Sequence, residues 1–177
     1  MRTTSKTRKA KKVGAVAVIH TDKIHGEITV LNTVTNTVTN NNKKGIKLTA
    51  IFTKLPPGKH GFHIHKAGDM RGDSCKGLCE HYDVGHHTHG GAPGRTCKNR
   101  HTNRRTNRHT GDLGNIQMKG KICKKTYFIP NTSVKELWGR SIIVHEDEDD
   151  LGKGGFEDST ITGHSGKRIG CAIFGRM

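Results

Sequence analysis

The chain has 177 residues, of which 31% are hydrophobic and 5% aromatic, and its formal net charge is +16. This length suits a single domain that buries roughly two thirds of its unfolded surface. No apolar run approaches the ~20 residues that a membrane-spanning helix needs, so we expect no membrane segment. No apolar stretch of signal-peptide type follows the basic start of the chain, and we therefore expect an intracellular, cytoplasmic protein.

The positive charge is concentrated in two segments. Residues 1–12 and residues 92–108 each contain six Lys or Arg and no acidic residue, whereas the remainder is close to balanced. Both segments are poor in apolar residues, so we expect a flexible basic tail and a basic surface insert. They can contact polyanions nonspecifically. Neither interleaves aromatic and basic residues as a base-stacking surface would.

Strand patterns dominate the apolar segments. About eight short strands are predicted, at residues 13–20, 27–38, 45–54, 60–65, 116–118, 121–129, 141–145 and 169–174. Their alternating or β-branched composition, without a convincing helical period, predicts an all-β fold, an antiparallel sandwich or barrel. Two long stretches without regular apolar periodicity, residues 66–111 and 146–166, are expected to be loops. The first is dense with His and Cys, which favours a functional role.

Metal-ligand chemistry is concentrated between residues 60 and 112. His63 and His65 are two positions apart in a predicted strand, so their side chains project from the same face. More histidines follow in the loop, and His109 precedes Asp112 by three residues. Imidazole suits copper, zinc, iron and nickel, and several histidines with one aspartate are most typical of zinc or copper. The sequence therefore predicts more than one metal site.

Four blocks of this sequence, in consistent order, resemble the copper/zinc superoxide dismutases. They are Gly61-Phe62-His63-Ile64-His65, His109-x-Gly111-Asp112-Leu113-Gly114-Asn115, Gly139-Arg140-Ser141-Ile142-Ile143-Val144-His145-Glu146 and Asp149-Asp150-Leu151-Gly152-Lys153-Gly154-Gly155. The resemblance implies a Greek-key β-sandwich over residues 13–177, in agreement with the strand pattern. The Lys-, Asn- and Thr-rich segments are compatible with a homologue from a large DNA virus, whose location would be the host cytoplasm or the virion.

The resemblance also implies two adjacent metal sites. Copper would be bound by His63, His65, His81 and His145. Zinc would be bound by His81, His89, His109 and Asp112, so that His81 bridges the metals. His101 competes for the third zinc position, but only His109 is followed by the family's Gly-Asp pair. Asp149 matches the carboxylate that hydrogen-bonds one copper and one zinc histidine. Between His89 and His109 this chain has a longer loop than the family, and the extra residues are the basic insert.

The activity implied by the resemblance converts two superoxide anions and protons into dioxygen and hydrogen peroxide while copper alternates between Cu(II) and Cu(I). His81 would release copper and carry a proton, Arg168 would guide the anion, and Thr162 would narrow the channel. Ile161 stands where many members have lysine, so we expect weaker attraction there. The alternatives are a poorly copper-loaded, zinc-stabilised relative with a metal- or polyanion-binding role, and a metal-stabilised nucleic-acid-binding protein.

The resemblance further implies a disulfide between Cys75 and Cys171, which would tether the metal-rich loop to the last strand. Cys79, Cys97 and Cys123 are additional, and the first two either pair across the insert or remain free thiols. His60 is expected to hydrogen-bond to the backbone. As partners, the family implies a second copy of the chain in a homodimer and a copper chaperone.

Overall fold

The structure, a computed structural model, describes residues 13–35, 43–71, 75–93 and 108–177. Nine strands form its regular core in this part of the chain: β1 Gly14–His20, β2 His25–Thr35, β3 Lys43–Lys54, β4 Lys59–His65, β5 Asp112–Gln117, β6 Cys123–Pro130, β7 Ser141–His145, β8 Arg168–Ile173 and β9 Gly175–Arg176. Within the same described ranges, helical structure is limited to a 3-10 turn at Lys76–Leu78 and two four-residue helices, α1 Val134–Leu137 and α2 Ser159–Thr162. The prediction of an all-β chain with about eight strands is confirmed.

The strands form two antiparallel sheets. One has the order β6-β3-β2-β1-β9, and the other has the order β5-β4-β7-β8. The connections from β3 to β4, from β5 to β6 and from β6 to β7 cross between the sheets, so strands distant in sequence become neighbours, as in a Greek-key sandwich. No helix among the described residues is long and apolar enough to cross a membrane.

The core lies between the sheets, and β3 shows how the sequence pattern produces it. Ile46, Leu48, Ala50 and Phe52 alternate along this strand and are fully buried, because successive side chains of a strand point to opposite faces. Phe52 meets Phe62 of the opposite sheet edge to face, with ring centroids 5.6 Å apart. Burying one such aromatic or aliphatic side chain contributes about 1.5–3 kcal/mol.

Three differences from the predicted elements have physical causes. β5 begins at Asp112 rather than residue 116, because its polar and glycine-containing start pairs with β4. Helix α1 was not predicted, although Ser133 and Glu136 form a capping box in which the Glu136 carboxylate accepts the Ser133 backbone N–H at 2.9 Å. β9 is a two-residue pairing with β1, too short for a periodic signal.

Both long loops connect strands of the same four-stranded sheet, and the candidate site lies where these loops meet that sheet. Residues 66–111 connect β4 to β5, and residues 146–166 lie between β7 and β8. β4 and β7 are hydrogen-bonded neighbours, so the two loops leave adjacent strands. A disulfide between Cys75 and Cys171 joins the first loop to β8. The predicted basic tail, most of the insert (residues 94–107) and the predicted end of the second strand (residues 36–38) lie outside the described residues.

Candidate metal centre

β4 and β7 bring together the residues predicted to bind copper. His63 and His65 lie on β4, and His145 ends β7, which pairs with β4. The fourth histidine, His81, lies in the long loop, where an isolated antiparallel β-bridge pairs its backbone with that of His65. One ring nitrogen of each lies within 4.8 Å of those of the other three, and all four residues are buried. The structure therefore forms the predicted set from three separate segments.

The inward-facing nitrogens of this set have no hydrogen-bond partner among the described residues. They are His63 Nδ1, His65 Nε2, His81 Nε2 and His145 Nε2. Leaving one buried polar atom unpaired costs about 1–3 kcal/mol, and such atoms are rare in folded proteins. Four unpaired lone-pair donors converging on one point fit a metal ion of the type that imidazole binds.

The outward-facing nitrogens of the same rings are hydrogen-bonded. His65 Nδ1 lies 2.9 Å from the Cys79 carbonyl oxygen, and His145 Nδ1 lies 3.2 Å from that of Gly166. A carbonyl can only accept, so each outer nitrogen carries the proton and the inner nitrogen keeps its lone pair. This arrangement orients the imidazoles toward a shared ligand position.

The four residues predicted to bind zinc form an adjacent group that shares His81. Asp112 Oδ1 lies 2.9 Å from His81 Nδ1, 3.2 Å from His89 Nδ1 and 3.3 Å from His109 Nδ1. Three imidazole nitrogens and one carboxylate oxygen are suitable donors for tetrahedral zinc. His81 turns Nδ1 to this group and Nε2 to the first group, so its ring lies between the two.

Asp149 connects the two groups by contacting one histidine of each. Its carboxylate lies 2.9 Å from His63 Nε2 through Oδ2 and 2.7 Å from His89 Nε2 through Oδ1. Asn115 holds the Asp149 backbone by accepting from its N–H at 2.8 Å and donating to its carbonyl at 2.7 Å. Gly163 packs against this pair with φ +75°, and a Cβ at this position would overlap both the carboxylate and the His89 ring.

Burial controls the protonation of the histidines. It lowers the pKa of His63 and His65 well below the usual value, and it lowers the pKa of His145 to about 4. At neutral pH these rings are therefore neutral, as metal binding requires. Burial also lowers the pKa of His89, but hydrogen bonds to Asp112 and Asp149 outweigh this effect and raise it to about 9.

Arg168 begins β8 and is anchored beside the first group. Its guanidinium donates to the carbonyl oxygens of Cys75 at 2.8 Å and Cys79 at 2.6 Å. The Cys79 carbonyl also accepts from His65, so one backbone oxygen connects the arginine to the copper set. Thr162 lies in α2, where its hydroxyl is 3.1 Å from the Asp158 carboxylate. Its predicted channel role stays a prediction.

His60 and the additional cysteines are the other residues that the sequence singled out. His60 contacts three carbonyl oxygens, those of Pro56, His145 and Glu146, at 2.9–3.1 Å, in the backbone-binding role expected for it. Among the described residues, Cys79 and Cys123 carry free thiols. Cys97 and His101 lie outside the described residues, so the pairing of Cys79 with Cys97 stays a prediction.

Asp83 is a residue that the sequence interpretation missed. Its carboxylate accepts hydrogen bonds from His87 and Thr110 inside the zinc group's loop. Asp83 binds both the backbone N–H and the ring of His87. No local pattern marks this contact, because Asp83 and Thr110 are 27 positions apart.

Known proteins are similar to this chain in sequence and in fold. A family model described as copper/zinc superoxide dismutase (SODC) matches residues 30–174. The Cu-Zn superoxide dismutase of Paramecium bursaria Chlorella virus 1 is 40% identical over 136 residues, which cover 73% of this chain and 66% of that protein. Superoxide dismutase 5 of Dictyostelium discoideum is 35% identical over 166 residues, covering 91% of this chain and 96% of its relative.

Two further similarities broaden the comparison. The copper chaperone for superoxide dismutase of Rattus norvegicus is 39% identical over 124 residues, which cover 69% of this chain but 40% of the chaperone. The crystal structure of the clock protein EA4 superposes with a TM-score of 0.74 at 28% identity, covering 97% of this chain and 99% of that chain. The chain thus spans just under two thirds of the viral relative and less than half of the chaperone. Since the family model matches most of the sequence and the structure has the expected two-sheet fold, the chain belongs to the copper/zinc superoxide dismutase family.

Proposed function

We propose that this protein is an enzyme that disproportionates superoxide. Copper would be bound by His63, His65, His81 and His145, and zinc by His81, His89, His109 and Asp112. The observation that carries the proposal is the convergence of four buried, unpaired imidazole nitrogens next to a second group that shares His81. Bound copper would supply one-electron oxidation and reduction, and bound zinc would supply fixed charge and structure.

His81 is the proposed proton carrier. Its Nε2 faces the copper set, is buried, and has no competing hydrogen-bond partner among the described residues, while its Nδ1 is held by Asp112 at 2.9 Å. A proton on Nε2 therefore has only the reacting oxygen species as an acceptor. His81 Nδ1 and Asp112 are both proposed zinc ligands, so with zinc bound the ring would stay in place while His81 acts as a positioned general acid.

Arg168 is proposed to attract and orient the substrate. Superoxide is a small anion, and a guanidinium keeps its positive charge at all physiological pH values. The contacts to the Cys75 and Cys79 carbonyls support this role because they hold the charge in one position without neutralising it. Thr162 is proposed to narrow the approach. Ile161 is 59% exposed and adds no charge, so attraction at that point is weaker than a lysine would provide.

The second candidate is a metal-binding relative with weak catalysis, and the similarity to copper chaperones keeps it open. The complete copper set and the anchored Arg168 favour the enzyme, because a protein that only stores or transfers metal has no need of an anion-guiding arginine. Nonspecific polyanion contact through residues 1–12 and 92–108 stays a prediction.

The partners proposed for the chain are a second copy of itself and a copper chaperone as metal donor. Exposed apolar side chains support the homodimer. Met70 is 41% exposed, and its sulfur lies 3.9 Å from Cys171 Sγ. Ile173 is 37% exposed and ends β8, two residues after Cys171. A cytoplasmic location is part of the same proposal.

The test is elemental analysis of the purified protein together with a superoxide-consumption assay before and after copper loading. The proposal expects about one copper and one zinc per chain and a rate that rises with copper content. A protein that takes up zinc and gains no activity on copper loading would favour the metal-binding alternative.

A further inference from the structure

The zinc group is assembled from two stretches of chain that are far apart in sequence. His81 and His89 lie before the basic insert, and His109 and Asp112 lie after it. A metal ion can hold such stretches together only after it has bound. Contacts that join them without a metal ligand would form the site in advance and reduce the ordering cost of metal binding.

Asp83 makes such contacts. Its Oδ1 lies 2.9 Å from His87 Nδ1, 3.2 Å from the Thr110 backbone nitrogen and 3.3 Å from the Thr110 hydroxyl, and its Oδ2 accepts the His87 N–H at 2.7 Å. The side chain is only 8% exposed. One carboxylate therefore takes four contacts from the two stretches, and neither His87 nor Thr110 belongs to the zinc group.

The contacts end next to the zinc group on both sides. Asp83 is two residues after His81, and His87 is two residues before His89. Thr110 lies between His109 and Asp112. Fixing these three positions therefore constrains the chain on either side of the four proposed ligands, although Asp83 itself is not a member of that group.

We propose that Asp83 is a positioning residue that preassembles the zinc site. Its carboxylate binds His87, before the insert, and Thr110, after it, and so joins the two stretches that carry the zinc ligands. This inference rests on the zinc site proposed above and is independent of the catalytic step. Other contacts also cross the gap. Gly111 N–H donates to the Tyr82 carbonyl at 2.7 Å, Gly90 N–H donates to Asp112 at 2.9 Å, and Val84 N–H donates to the Thr110 hydroxyl at 3.3 Å. Loss of Asp83 should therefore loosen the site without unfolding the sheet.

The test measures zinc affinity of the metal-free, full-length protein by competition with a chelator of known affinity. Asp83→Ala is expected to weaken zinc binding by about 10- to 100-fold, the usual effect of removing an outer contact of a metal site. Asp83→Asn should fall in between, because its amide oxygen still accepts from Thr110 but its NH₂ group opposes the His87 N–H. The matched control is Asp22→Ala, an exposed aspartate in the turn between β1 and β2.

Two further readouts separate positioning from general destabilisation. Copper affinity of Asp83→Ala should change less than zinc affinity, because His63, His65 and His145 lie on strands. The visible spectrum of Co(II) bound in place of zinc should also change, since it reports ligand geometry. Zinc affinity within twofold of wild type, or equal losses of zinc and copper affinity, would overturn the proposal.

Milder variants keep the test decisive if Asp83→Ala does not fold. His87→Ala and Thr110→Val each remove part of the same contacts, and each should weaken zinc binding by less than the full loss. No change in either variant would overturn the proposal. Because none of these measurements uses superoxide, an inactive protein with an Asp83-dependent zinc site would contradict the proposed enzyme activity and leave this inference standing.

Discussion

Each histidine of the proposed copper set divides its two ring nitrogens between two tasks. One nitrogen faces the shared interior, and the other contacts a partner such as the Cys79 carbonyl for His65 or the Asp149 carboxylate for His63. The inner nitrogen stays neutral because burial lowers the pKa of these rings. The fold tolerates these buried polar side chains because each imidazole has one hydrogen-bonded nitrogen and one nitrogen that faces the proposed ligand position.

The third zinc ligand can be tested by mutation. His109→Ala should strip zinc or weaken its binding by several orders of magnitude, because His109 Nδ1 lies 3.3 Å from Asp112 Oδ1 within the group. His101→Ala should leave zinc content unchanged. Zinc content by elemental analysis after dialysis checks both. The reverse result, with zinc lost only from the His101 variant, would show that the assignment is wrong.

Arg168 should control the rate through its charge. Arg168→Glu places a negative charge where an anion must approach, so the rate of superoxide consumption should fall by about 10- to 1,000-fold at low ionic strength. Added salt should slow the wild type and slow the variant less. Arg168→Lys keeps the charge but loses the two-carbonyl anchor and should retain more activity. An unchanged rate in Arg168→Glu would exclude the guiding role.

At the scale of elements, the sheet order determines which loops can cooperate. β4 and β7 are antiparallel neighbours, so the loops that follow them leave opposite ends of the pair. His89 of the first loop joins them, because its N–H donates to the Thr160 carbonyl at 2.8 Å and its ring lies 2.7 Å from the Asp149 carboxylate. The disulfide to Cys75 and the carbonyl contacts of Arg168 then tie the first loop to β8. As a result, the two groups of candidate metal ligands are built from strands and from loop segments that several contacts connect.

The insert should be dispensable for zinc binding. Replacing residues 94–107 by a short Gly-Ser linker should leave the zinc dissociation constant within about threefold of wild type, because contacts between residues 81–91 and 108–112 already close the site. The same chelator competition measures it. Combining the linker with Asp83→Ala supplies the control and should weaken binding. A large loss in the linker variant alone would assign the insert a direct role.

Cutting the tether between the first loop and β8 should lower stability. The disulfide joins cysteines 96 positions apart, and a crosslink closing a loop of that size contributes about 3–5 kcal/mol through unfolded-state entropy. Cys171→Ser should lower the free energy of unfolding by a similar amount, measured by urea titration of the metal-free protein. The control is Cys79→Ser, which removes a free exposed thiol and should change little. Equal stability of the two variants would contradict this expectation.

At the scale of the whole molecule, the strong positive charge and the apolar surface near β8 indicate two kinds of contact. The net charge of +16, most of it in residues 1–12 and 92–108, favours attraction of anions, and this attraction is weakened by salt. Met70 and Ile173 form the exposed apolar surface proposed above for contact with a second copy of the chain.

The homodimer can be tested by charging that surface. Ile173→Glu should shift the sedimentation coefficient from that of a dimer to that of a monomer, because a carboxylate is costly to bury in an apolar interface. Val18→Glu is the matched control, since Val18 is 58% exposed on β1 in the other sheet. A wild-type protein that sediments as a monomer at micromolar concentration would contradict the proposed dimer.

Much of the architecture was predictable because strand alternation is a local signal. The buried faces of β3 and β7 follow directly from residue type, and the order of the histidine motifs indicated the family. The metal-ligand assignments rest on that resemblance and stay predictions, although the residues do converge. Helix α1 had a readable capping signal in Ser133 and Glu136 that the strand-based interpretation passed over.

The sequence by itself determined the strands, the donor chemistry and the charge distribution, because each depends on residue type and spacing along the chain. Only the tertiary structure decided which donors meet. Asp83 reaches Thr110 across the insert, and Asp149 reaches His63 from 86 positions away. Such contacts depend on sheet order and on the paths of two loops, which no local pattern encodes. The convergence of these donor side chains is therefore a property of the fold.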